Sequence, residues 1–208
     1  VSLVLSGDGA ITGAGAISGI TSLNTDVSST ELGYLDGVTS GLQGQINTAG
    51  GLVLITSESF SAVSAVNINN CFSATYQNYV VFVNCVGSTD IGIRIRMRAS
   101  GSDASGNDYA QQYLKADGNS VSSARSTSQS QVTILDANTG RSSMFLTVSS
   151  PFEAATTLMR ALNADSRADA TIQDNVALHG LSTSYDGFSL LTSTGTITGT
   201  VRVYGLKD

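Results

Sequence analysis

Near its start the chain repeats every six residues. Leu5, Ile11, Ile17 and Leu23 head the units LSGDGA, ITGAGA, ISGITS and LNTDVS. A short fixed period means one small unit stacked along an axis. Each unit offers a single large apolar side chain, too little to enclose a core within one chain. Identical chains wrapped about a common axis could enclose one. Residues 1–27 are therefore expected to form a repetitive shaft in a fibrous homo-oligomer. Recurrent Gly favours strand-like or loop-and-strand stacking over helix.

The pattern changes at residue 28. Ser28 and Glu31 have the spacing of a capping box, which predicts a helix start. Leu32 and Leu35 fall on one face, Asp36-Gly37 makes a break, and Leu35, Val38, Leu42 and Ile46 continue at helical spacing. Gly37, Gly41 and Gly44 each weaken an isolated helix by up to ~1 kcal/mol. A short parallel bundle of copies over 28–50 would supply the missing support. A single helix folded back on the following domain is the alternative.

Beyond the Thr48–Gly51 junction the pattern is β, and residues 51–208 are expected to form an antiparallel, jelly-roll-like sandwich. Tyr79–Val86 is almost continuously apolar, as in a strand covered on both faces. Ile91–Arg98 alternates, with Ile91, Ile93, Ile95 and Met97 on one face and Arg94, Arg96 and Arg98 on the other. Further strands are expected at 52–56, 60–68, 131–136, 143–149, 156–161, 170–177, 187–192 and 196–206. Ser193-Thr194-Gly195 reads as the hairpin loop joining the last two, and Asn163–Asp169 reads as a loop.

Composition narrows the function. Charged residues are 12% of the 208, against ~25% in globular chains. All Lys and Arg lie beyond residue 93, so the net charge of −6 belongs to the front part. Nothing clusters basic charge as nucleic-acid binding requires. No apolar run approaches the ~20 residues of a membrane span. No basic n-region with an apolar core opens the sequence. The repeat is already running by Leu5, so further chain upstream of Val1 is expected. Cys71 and Cys85 read as two small buried apolar side chains rather than a disulfide framework or metal ligands.

Three stretches carry a resemblance. They are LNTDVSSTELGYLDGVTSGLQGQI (Leu23–Ile46), FSATYQNYVVFVN with IRIRMRASGSDASGNDY (Phe72–Asn84, Ile93–Tyr109), and YDGFSLLTSTGTITGTVRVYGL (Tyr185–Leu206). Together they resemble bacteriophage tail fibres, the first most specifically, through S-x-x-E-L-x-Y-L-D-G-V-T-S-x-[IL]-Q-x-Q. The resemblance implies a homotrimeric fibre in the virion, assembled in the host cytoplasm. Shaft, helical clasp and β head would follow in that order, with other virion proteins on the N-terminal side. The head would touch a host cell-surface glycan or outer-membrane receptor. A capsid-surface fibre or decoration protein with a structural role is the alternative; a polysaccharide depolymerase is a more distant one. No catalytic motif, cofactor, metal, nucleic acid or membrane insertion comes with the resemblance. The positions expected to join the copies are those read from the hexad and helical spacing: Leu5, Ile11, Ile17, Leu23, Leu32, Leu35, Val38, Leu42 and Ile46.

Candidate receptor contacts follow from residue chemistry. Arg94, Arg96 and Arg98 form a basic ladder whose guanidinium forks suit carboxylates and phosphates; a solvated face or ion pairs is the plainer reading. The polar loop Ser100–Tyr109 brings Asp103 and Asn107, and with Tyr109 and Tyr113 offers rings for stacking on sugars. Its oxygen ligands lack the bidentate Glu of a calcium loop. His179 has no nucleophile elbow to serve and reads as a strand-end residue. A glycosidase needs two facing carboxylates, and spacing selects no pair among Asp165, Asp169, Asp174 and Asp186.

Overall fold

The computed structural model describes residues 22–24, 27–28, 51–166 and 171–207. By contact the chain divides into Val1–Ala49 and Gly50–Asp208. In the first, β1 (Ser22–Asn24) pairs antiparallel with β2 (Val27–Ser28). Leu23 lies on β1 and Ser28, the expected start of the helix over 28–50, on β2; the rest of that helix and the other shaft and clasp positions (Leu5, Ile11, Ile17, Leu32, Leu35, Val38, Leu42, Ile46) lie outside the described residues.

The second unit is built entirely of antiparallel strands among its described residues. They are β3 (Gly51–Val63), β4 (Ala65–Ile68), β5 (Asn78–Gly87), β6 (Ile91–Ala99), β7 (Ser102–Asp103), β8 (Tyr109–Asp117) and β9 (Ser120–Gln129). Then come β10 (Val132–Ala137), β11 (Arg141–Ser149), β12 (Thr157–Asp165), β13 (Ile172–His179), β14 (Gly187–Thr192) and β15 (Ile197–Lys207). The larger sheet runs β3-β15-β5-β11-β12-β13-β8-β9 and the smaller β10-β6-β14-β4, with β7 attached to β6. The chain shuttles between them, so neither sheet is one contiguous stretch of sequence.

One hydrophobic core joins the two sheets. From β6 it takes Ile91, Ile93, Ile95 and Met97, none more than 3% exposed, as the period of two requires. Phe188 and Leu190 of β14, Val81 and Val83 of β5, Leu146 and Val148 of β11, and Val201 and Val203 of β15 complete its centre. Phe72 stacks on Phe188 (centroids 5.8 Å apart) and meets Tyr79 edge-on at 4.7 Å. Cys71 and Cys85 are free and buried within it.

Three readings from sequence are corrected. Ser193–Gly195 does not close a hairpin: β14 pairs with β4 and β6, while β15 pairs with β3 and β5. The segment carries the chain between sheets, turning at Gly195 with φ 60°, a conformation glycine adopts without steric cost. Asn163–Asp165 is the end of β12 rather than a loop. The β8–β9 hairpin was not expected at all. Its second strand, SVSSARSTSQ, is exposed along nearly its whole length, so no apolar alternation marks it.

Candidate binding surfaces

The arginine ladder is mostly spent within the protein. Arg98 is only 7% exposed. Its Nε donates to Asn69 Oδ1 (2.9 Å), Nη1 to Ser189 Oγ (2.9 Å) and to Asp103 Oδ1, and Nη2 to the Gly101 carbonyl. Ser189 Oγ in turn lies 2.7 Å from Asp103 Oδ1 and 2.9 Å from Asn67 Oδ1. The β6–β7 turn positions this cage. Ser100 and Gly101 take φ of 51° and 79°, the two positive values a two-residue type I′ turn requires, and Asp103 pairs across the turn with Arg98. Arg96 Nε donates to the Ser130 carbonyl (3.1 Å), with Nη1 3.9 Å from Asp103. Arg94 is half-buried. A buried guanidinium with four polar partners is a structural element, so Arg98 and Asp103 lock a turn rather than face a ligand.

Tyr109 leaves the list of surface contacts as well. It is 1% exposed. Its hydroxyl accepts from Met97 N and donates to the Ala104 carbonyl, both at 2.9 Å. Its ring meets His179 at 4.2 Å, and His179 meets Tyr185 edge-on at 5.1 Å. The Tyr185 hydroxyl lies 3.1 Å from His179 Nδ1. Burial pushes the His179 pKa below its ordinary value, against the opposing charge of Asp108. Asn107 is exposed on the β7–β8 loop, away from any ladder pairing. The sequence pattern Tyr109-x-Gln111-x-Tyr113-x-Lys115 carried the missed signal: a period of two on one strand face.

Asp169 lies outside the described residues, and the three candidate acids among the described residues do not converge. Asp165 is a buried residue on the inner face of β12. Asp174 lies on the outer face of β13, held by a bidentate contact from Arg160 Nε (3.0 Å) and Nη2 (2.7 Å). Asp186 Oδ2 accepts from Ser100 N in a loop. No group of three metal-ligating side chains forms among the described residues.

Two surfaces stand out instead. The first is the outer face of the larger sheet. Phe82, Phe145 and Leu162 lie side by side across β5, β11 and β12. Phe82 meets Phe145 at 5.3 Å and Tyr204 at 5.7 Å, both edge-on. On the same face Leu114 and Ile172 are 61% exposed and Leu158 and Val176 53%. A strand as apolar as β5 is expected to be covered on both faces; among the described residues of unit Gly50–Asp208 no second layer lies over this one.

The second surface is polar and concave. The larger sheet is wider than the smaller, and β8–β9 flanks the free edge of β10. A cleft of about 330 Å³ opens there. Its floor is the inner face of β8, with Gln111, Tyr113 and Lys115; Gln173 enters from β13, and Thr133 and Asp136 from β10. Gln111 Oε1 accepts the edge N–H of Thr133 at 2.7 Å. Lys115 Nζ lies 3.2 Å from Asp136 and 3.4 Å from Asp117. Compared with known proteins, the chain matches no protein-family model and no curated protein.

Proposed function

We propose that this chain is a virion structural protein, the C-terminal region of a phage tail fibre that attaches the particle to its host. Three copies associate through a hexad shaft and a helical clasp and carry jelly-roll-like heads outward. The observation that supports assembly is the outer face of the larger sheet. Exposed aromatic and aliphatic side chains recur there on β5, β11, β12, β13 and β8, and Arg160 among them is paired with Asp174 within the chain. Such a surface suits another protein rather than water.

The proposed mechanism is multivalent binding. Three heads held in register turn weak single contacts into strong attachment, because the second contact is intramolecular, at up to mM effective concentration. The role needs no chemistry of its own. Two measurements test it. Light scattering should give a native mass near three times 21.3 kDa; a single-chain mass at micromolar concentration rules the assembly out. A labelled chain should bind cells in a panel of bacterial strains. Absence of cell binding, with retention on tail-less particles, would replace the adhesin by a capsid-surface fibre.

A further inference from the structure

The cleft beside β10 combines features that neither the core nor the assembly surface needs. The inner face of the larger sheet is apolar at β5 and β11 and turns polar toward β9. One cross-strand row reads Asn163, Gln173, Lys115, Ser122 over β12, β13, β8 and β9. Inward-facing polar side chains are costly unless something satisfies them. Much of this row is satisfied from within. β10 is bulged between Thr133 and Leu135, and the Ile134 carbonyl accepts from Asn163 Nδ2 (2.6 Å) and Asn175 Nδ2 (3.4 Å).

Two buried acceptors of the row have no hydrogen-bond partner, Asn163 Oδ1 and Gln173 Oε1, and of these two residues Gln173 is the one that lines the cleft. It is 6% exposed and its Nε2 donates to Asn175 Oδ1 at 2.9 Å. That leaves Oε1, a buried acceptor with no hydrogen-bond partner, on a residue that lines the cleft. Beside it stands Tyr113, half-buried, which forms part of the floor. Lys115 and Asp136 add a donor and an acceptor at fixed separation. One aromatic ring set among placed polar groups suits a sugar, which offers an apolar face and a rim of hydroxyls, and the volume falls at the small end of the ~300–1,000 Å³ usual for small-ligand sites.

We infer that this cleft binds a saccharide unit without net charge, with Tyr113 against one sugar face and Gln173, Lys115 and Asp136 on its hydroxyls. Charge decides the class. Lys115 sits between Asp117 and Asp136, so the site carries no excess positive charge to hold a carboxylate or phosphate. A hydroxyl-rich neutral ring uses both the donor and the acceptors. The inference rests on the adhesin reading and gives it a location, away from the arginine ladder first considered.

The test uses the full chain and an array of neutral and uronic-acid oligosaccharides, with bacterial-cell binding measured in parallel. Neutral members should bind in preference to acidic ones. Tyr113→Ala and Asp136→Asn should each weaken that binding about tenfold, a loss of ~1.4 kcal/mol, while Tyr113→Phe keeps the ring and most of the binding. Thermal melting of each variant separates lost binding from lost fold. Failure of every neutral saccharide to bind overturns the inference. So does cell binding that Tyr113→Ala leaves intact, an outcome in which the adhesin reading survives and only the site is lost. A chain that binds neither saccharides nor cells removes both.

Discussion

Phe145 of β11 meets Phe82 of β5 edge-to-face, with ring centroids 5.3 Å apart, on the sheet face opposite the core. Edge-to-face pairs of this kind contribute ~0.5–1.5 kcal/mol beyond the area they bury. Phe145 is nevertheless 37% exposed. Its neighbour Leu162 is 45% exposed. Replacing Phe145 with Asp should therefore leave the fold of the single chain in place and disrupt assembly. The expected result is a native mass shifted toward one chain in sedimentation experiments, with an unchanged far-ultraviolet spectrum. An oligomer that persists with unaltered affinity would show that another surface joins the copies.

Leu146 follows Phe145 in sequence and points the other way, fully buried. Leu146→Ala should cost about 2–5 kcal/mol, the range for deleting a buried aliphatic side chain. Leu158→Ala, on the outer face, should cost far less in the dissociated chain, within about 0.5 kcal/mol. Urea titration of both variants at low protein concentration checks the contrast.

Arg98→Ala should destabilise by about 1–3 kcal/mol, because Ser189 and Asp103 would lose their buried partner. Arg94→Ala should be nearly silent, within about 0.5 kcal/mol, since no hydrogen bond ties its side chain among the described residues. Chemical denaturation separates the two. Equal effects would mean that the ladder works as one charged surface and not as one locked turn.

His179 makes stability depend on pH. Its imidazole is buried against Tyr109 and Tyr185, and burial lowers its pKa from the ordinary 6.5. The unfolded chain thus binds a proton at a pH where the folded one does not. Stability is complete above about pH 6.5 and falls as pH drops below it. Melting temperatures between pH 7.5 and 5.5 should decline for the native chain and decline less for His179→Gln. Parallel curves would mean that other groups carry the dependence.

The two thiols should be silent in the folded protein. Burial pushes Cys71 up to about 12 and Cys85 up to about 11, so neither supplies thiolate at neutral pH. Iodoacetamide at pH 8 should label neither in the native chain and both after unfolding in guanidinium. Rapid native labelling at either position would reveal local opening of the core.

Some of this architecture was legible in the sequence because single strands advertise their own burial. The alternation Ile91–Met97 and the apolar run Tyr79–Val86 located β6 and β5 to within a residue or two. Pairing was less legible, because it depends on residues far apart. Thr192 and Ile197 are close in sequence, which suggested a hairpin, yet their strands belong to different sheets. Tyr109 looked like a surface ring because it ends a polar loop; the strand that begins there carries it inward. Gln173 and Asp136, from β13 and β10, meet Tyr113 of β8 only because the sheets differ in width. Nothing local in the sequence announces that encounter.

The to-and-fro path of the chain between layers has a final consequence. Excising any internal stretch takes strands from both layers or unpairs their neighbours, so no half of this unit is a self-sufficient fragment. Its outermost strand β3 is zipped to β15 from Gly51↔Lys207 to Val63↔Ile197. The first and last turns of the thread are thereby stitched to each other. A ribosome must deliver the whole unit before it can close, and a protease that frees β15 should unravel both layers at once.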